Sequence, residues 1–150
     1  MATDHSSRFI QWKYPKYVPT AAVVGGSQVK YIHEHFDPRR KDAPAFIGQS
    51  GSRILDVSDL LDWLPPTVTT LALHVGGNNL TTTGAECAFY RYRDILHHLS
   101  RERPEITTVY VTRVLPRYLN RRRRERTLEN VFRFNQEVRQ FNERLRQLCL

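Results

Sequence analysis

Three short segments carry residue types that can attack or stabilise a carbonyl: Gly25-Gly26-Ser27-Gln28, Gly48-Gln49-Ser50-Gly51 and Gly76-Gly77-Asn78-Asn79. A serine at a strand-to-helix turn presents its hydroxyl where unpaired helix N–H groups favour a developing anion. Neighbouring glycines let a substrate approach the backbone. An asparagine amide is a fitting oxyanion donor, and one such donor is typically worth about 3–4 kcal/mol in a transition state. Ser27 as nucleophile, with the Gly51 N–H and Asn78 as donors, therefore makes a coherent set for acyl transfer. Each segment also has a plainer role. Ser27 can cap a helix, and Gly-Gly-Asn-Asn is ordinary turn chemistry.

The elements that must position these residues alternate. Ala21-Ala22-Val23-Val24 is a short apolar run stopped by glycines, which suits a buried strand. A helix is expected from Ser27 to about Phe36, broken by Asp37-Pro38. Ala45-Phe46-Ile47 is a second strand. A helix opening at Gly51 or Ser52 follows, with Ile54, Leu55, Val57, Leu60, Leu61 and Leu64 on its apolar side and Pro65-Pro66 at its end. Val68 to Val75 is a third strand. From Thr83 or Gly84 runs a long amphipathic helix bearing Ala85, Ala88, Phe89, Tyr92, Leu96 and Leu99. Ile106 to Val114 is a fourth strand. The last helix starts near Thr127 and places Val131, Phe134, Val138, Phe141, Leu145 and Leu148 on one stripe. Residues 1–19 read as an irregular leader or linker, and 20–150 as one α/β domain with helices on both faces of a parallel sheet of about four strands. In such sheets ligands bind outside the carboxyl ends of the strands, where the three segments fall.

The order of the segments resembles the SGNH (GDSL-type) hydrolase superfamily. Val23-Val24-Gly25-Gly26-Ser27 is similar to its Gly-Asp-Ser block, Ser50-Gly51-Ser52 to its second glycine block, and Gly76-Gly77-Asn78-Asn79 to its Gly-x-Asn-Asp block. Val114-Leu115-Pro116-Arg117 resembles a segment found in a metazoan branch. The resemblance covers about residues 20–150. It implies a three-layer flavodoxin-like fold and hydrolysis of a small ester through Ser27, with no cofactor. The sequence departs from the family at Gly26 and Asn79, where the family carries Asp. The family's closing Asp-x-x-His block, which follows a fifth strand, has no counterpart before Leu150. The expectation is a domain lacking that fifth strand, its general base and its orienting carboxylate, and so inactive or nearly so. The edge of the fourth strand would then lie open unless the leader covers it. Asp94-Ile95-Leu96-His97 spells the missing pattern but lies within the third long helix. His74, two residues before Gly76, is the candidate substitute base; otherwise it is a strand residue with a satisfied ring.

Charge gives the alternative. Of 150 residues, 23 are Lys or Arg and 15 Asp or Glu, for a net charge of +8. Residues 76–150 carry most of that excess. Arg117, Arg121, Arg122, Arg123, Arg124 and Arg126 fall in one run beside the presumed active edge. The run is either a solvated loop or a contact for nucleic-acid phosphates, in which case the domain binds and does not catalyse. No segment approaches the roughly 20 apolar residues of a membrane span, and the polar stretch Met1–Arg8 has no signal-peptide core. His33-x-His35 does not share a helical face, so no metal site is expected. Cys87 and Cys149 form no disulfide framework and read as buried helical thiols in an intracellular protein.

Overall fold

A computed structural model describes residues 10–120, 122–124 and 127–149. Along the chain lie β1 (Ile10–Lys13), β2 (Ala21–Gly25), α1 (Val29–Ile32) with a 3₁₀ turn at His33–His35, β3 (Ala45–Gln49) and α2 (Ile54–Asp62). After these come β4 (Thr70–His74), α3 (Gly77–Thr82), α4 (Gly84–Glu102), β5 (Thr108–Val111) and α5 (Leu128–Leu148). The sheet order is β1-β3-β2-β4-β5. β2 to β5 pair in parallel, as the alternation of strands and helices requires, and β1 runs antiparallel to β3. This is a mixed α/β sheet of the three-layer flavodoxin-like kind.

Strand register builds the core. Ala22 faces Ala45 and Leu71 on its neighbours, and Val24 faces Ile47 and Leu73. Side chains two apart share a face, so these six buried residues form one apolar surface. The buried stripes of α2, α4 and α5 pack on it, with Tyr92 of α4 tilted against Phe141 of α5 at 5.9 Å. The opposite face carries α1 and the 3₁₀ turn, where Phe36 lies tilted against Phe46 at 5.1 Å. At β4 and β5 that second face holds half-buried Ala72 and exposed Tyr110, the latter at 62%.

Two differences from the sequence expectation concern the sheet. The leader is not irregular throughout: Ile10–Lys13 is an edge strand, with Trp12 opposite Ile47 and packed against the core. It sits at the β3 edge, so it leaves the outer edge of β5 without a strand partner among the described residues. The other differences concern helix starts. Ser27 does not cap α1: the helix is only Val29–Ile32, and Gln28 holds the cap position without a side-chain bond. α2 and α4 are capped from distant elements. Asn79 Oδ1 accepts from the Ile54 N–H at 2.8 Å, and Glu137 Oε2 of α5 accepts from the Ala85 N–H at 2.6 Å. Local caps add to these: Asp56 of α2 accepts from the Arg53 N–H at 2.8 Å, and at α5 Thr127 accepts from the Asn130 N–H. Cys149 is exposed just past α5, and Cys87 is half-buried rather than buried.

Candidate active site

A cavity of about 320 Å³ opens at the carboxyl ends of β2, β4 and β5. One wall is made by the turn after β2 and the turn after β4. Gly25 pairs with His74 across the ladder, and a Cβ on Gly25 would lie 2.1 Å from the His74 carbonyl oxygen. Only glycine permits that approach. The Gly26 N–H then donates to the same carbonyl at 3.1 Å. Gly76 has φ +127°, a region that favours glycine, and a Cβ there would meet Phe141 and Val114 at 3.2 Å. The two turns bring Ser27 and Asn78 to one cavity. Ser27 is exposed, and its hydroxyl bonds to no other described residue.

Gly51 does not join them. It is exposed with φ +67°, and it is the next residue, Ser52, that lines the cavity. Ser52 is buried at 1% exposure. Its N–H donates to the Gln49 carbonyl and its carbonyl accepts from Asn78 Nδ2 at 3.0 Å, while its hydroxyl has no partner among the described residues. The adjacent asparagines thus divide the labour. Asn79 is buried and spent on capping α2, whereas Asn78 remains on the cavity wall with one amide hydrogen committed.

His74 lines the cavity but is already engaged on both ring nitrogens. Nε2 meets the Gln28 side-chain oxygen, and Nδ1 lies 2.6 Å from the Thr112 hydroxyl. Burial pushes its pKa below the ordinary 6.5, so the neutral ring prevails at neutral pH. Each ring nitrogen faces a side-chain oxygen, and the Thr112 hydroxyl also donates to the Leu73 carbonyl at 3.1 Å. Neither nitrogen is left to take a proton from Ser27.

The opposite wall is the segment from Thr112 to Tyr118, with Phe134 behind it. It has no regular secondary structure, yet its backbone is paired. Asn142 accepts from the Val114 N–H and donates to the Val114 carbonyl, each at 2.9 Å. Asn135 does the same to Arg117 at 2.8 and 2.9 Å. The spans match. Seven helical residues rise about 10.5 Å, and three residues at strand-like rise cover about 10 Å. The Arg117 guanidinium lies over the Phe134 ring at 3.9 Å.

Of the arginine run, Arg117 lines the cavity, while Arg122, Arg123 and Arg124 are exposed and outside the lining. Arg121 and Arg126 lie outside the described residues. Sequence reading missed Gln28, Ser52, Arg113, Thr112, Asn135 and Asn142. Only the two asparagines leave a signal: they recur seven residues apart, each following a phenylalanine of the α5 stripe. Among the described residues no helix is long and apolar enough to cross a membrane.

The architecture has a counterpart among solved structures. A protein from Streptococcus pneumonia, provisionally described as a platelet activating factor, is similar with a TM-score of 0.59 and 20% identity. The match covers 82% of this chain and 60% of that one, so the chain spans less than two thirds of the neighbour's length. At that identity the likeness establishes the fold. No family model and no curated protein matches the chain.

Proposed function

We propose that this chain is an SGNH-like ester-hydrolase domain in which Ser27 receives the acyl group. The observation that carries the reading is the convergence of Ser27 and Asn78, 51 positions apart, on one cavity at the carboxyl edge of a parallel sheet. Ser27 Oγ attacks the ester carbonyl. The free hydrogen of the Asn78 amide supports the oxyanion, and the Ser52 hydroxyl takes the place assigned to the Gly51 N–H. The alkoxide leaves and the Ser27 proton passes to water, because the one imidazole in the cavity is engaged by Gln28 and Thr112. Without a working base, turnover is lost before acyl transfer to the serine is, since donors and binding alone retain part of the rate.

The test is reaction with p-nitrophenyl acetate, followed by mass spectrometry of the digested protein. The expected result is one acetyl group on Ser27 with no steady turnover above the Ser27→Ala chain. Ser27 acetylated no faster than other exposed serines would overturn the reading.

A further inference from the structure

Where α4 and α5 lie side by side, positive charge gathers on aromatic rings. Arg93 follows Phe89 by four residues and Tyr90 by three, so helical spacing sets it beside both. α5 packs alongside, with Phe141 against Tyr92, and brings Arg144 to the same place. The Arg93 guanidinium lies 4.9 Å from the centre of the Tyr90 ring. That of Arg144 lies 5.3 Å from the same ring and 4.1 Å from Phe89. Two guanidinium groups that share one ring stand at most about 10 Å apart, one Debye length at 0.1 M salt, and so repel each other.

No ion pair among the described residues answers that charge. Arg133 and Arg146 of α5 pair with Glu129 and Glu143, whereas Arg93 and Arg144 bond no carboxylate. Glu137, the carboxylate of α5 that reaches α4, is spent on the Ala85 N–H. Arg93 Nε is enclosed and has no hydrogen-bond partner among the described residues. The attraction of a ring for a guanidinium at an exposed site is smaller than the cost of an enclosed donor left unpaired. Stacking also leaves the N–H groups, which lie in the guanidinium plane, open to an acceptor. Tyr90 is 40% exposed, so an acceptor can arrive from solvent.

We infer that Arg93 and Arg144, seated on Phe89 and Tyr90, form a binding site for a phosphate monoester. The choice of ligand follows from charge. Two guanidinium groups without a carboxylate are best matched by a group close to two negative charges. A phosphate monoester carries about −1.5 to −2 at pH 7 and three acceptor oxygens. A carboxylate or a phosphodiester brings one charge. Each guanidinium fork can take two of the phosphate oxygens, and the rings hold both forks in place before the ligand arrives. None of these four side chains lines the cavity, so the site goes beyond the hydrolase reading and does not rest on it.

The test is NMR of the arginine Nε–H signals during titration with inorganic phosphate at neutral pH. The signals of Arg93 and Arg144 are expected to move together and to saturate. Phosphate is expected to bind at least about fivefold more tightly than dimethyl phosphate, which carries one charge. Arg93→Gln and Arg144→Gln are each expected to weaken phosphate at least about 10-fold. Tyr90→Leu should weaken it about threefold through lost stacking. Arg101→Gln, at an exposed arginine in the last turn of α4, should change it less than about twofold. Arg144→Gln decides the matter if Arg93→Gln does not fold. Absence of saturation, equal affinity for dimethyl phosphate, or equal losses from Arg101→Gln and Arg144→Gln would overturn the inference. Sedimentation with phosphatidylcholine vesicles separates the sources of the group. Capture by vesicles that contain phosphatidic acid, lost on Arg144→Gln, assigns the phosphate to a lipid headgroup. Phosphate binding without capture assigns it to a soluble ester.

Discussion

The two walls of the cavity are built by opposite means. The wall bearing Ser27 and Asn78 is held by absence. Gly25 and Gly76 carry no Cβ, so the backbones of β2 and β4 close to contact and the turns beyond them meet. The wall bearing Arg113 and Arg117 is held by additions: two asparagines on one helix grip a segment that has no ladder of its own. A glycine wall tolerates no insertion, because packed interiors yield little. A hydrogen-bonded wall tolerates change in proportion to the bonds lost. The first is rigid by sterics and the second by pairing, so they are expected to fail differently.

The largest effect is expected at Gly25. A methyl there meets the His74 carbonyl at 2.1 Å. Gly25→Ala is expected to cost about 3 kcal/mol or more, at the upper end of overpacking, read as a fall in the urea midpoint. Gly51→Ala is the control, since it has open space and only its φ of +67° to strain. It should cost about 1–2 kcal/mol. A Gly25→Ala chain as stable as the control would show that the glycine wall is not steric.

A smaller effect is expected from the other wall. Removing both hydrogen bonds of one asparagine, by Asn135→Ala or Asn142→Ala, is expected to cost about 1–3 kcal/mol. Trypsin should then cleave after Arg113 and Arg117 sooner than in the unaltered chain, because the segment opens locally. Unchanged cleavage when Asn135→Ala and Asn142→Ala are combined would mean that packing on Phe134 and Phe141 holds this wall instead.

The smallest effect joins the walls through His74, which touches Gln28 on one side and Thr112 on the other. Burial holds its pKa below 6.5 in the folded chain. The unfolded chain therefore takes up the proton first, and stability falls as pH drops from about 6.5 through the folded value; above 6.5 it makes no contribution. His74→Gln is expected to flatten that part of the stability-against-pH curve. An unchanged slope would assign it to other groups.

Much of the fold was legible in local pattern. Runs such as Ala21-Ala22-Val23-Val24 and the α5 stripe follow from periods of two and 3.6, which the backbone imposes on any chain. β1 and α3 were not legible. Ile10-Gln11-Trp12-Lys13 is too short to declare itself until Trp12 finds Ile47, and Gly77–Thr82 is a poor helical sequence that forms where Asn79 reaches the Ile54 N–H and Leu80 is buried. At the site, the glycines beside Ser27 and Asn78 were legible because close approach needs glycine. The exchange of Gly51 for Ser52 was not, because the two are adjacent and one turn decides which faces inward.

The sequence by itself determined the alternation of β2 to β5 with α1, α2, α4 and α5, the strand-end placement of Ser27, His74 and Asn78, and the excess of arginine in the second half. Tertiary structure alone decided the rest. It made Asn79 a cap and left Asn78 on the wall, tied His74 to Gln28 and Thr112, and joined Asn135 and Asn142 to backbone 18 and 28 residues away. The reason is physical. Periodicity and steric demand are written in neighbouring residues, whereas a side-chain hydrogen bond depends on where two distant backbones cross.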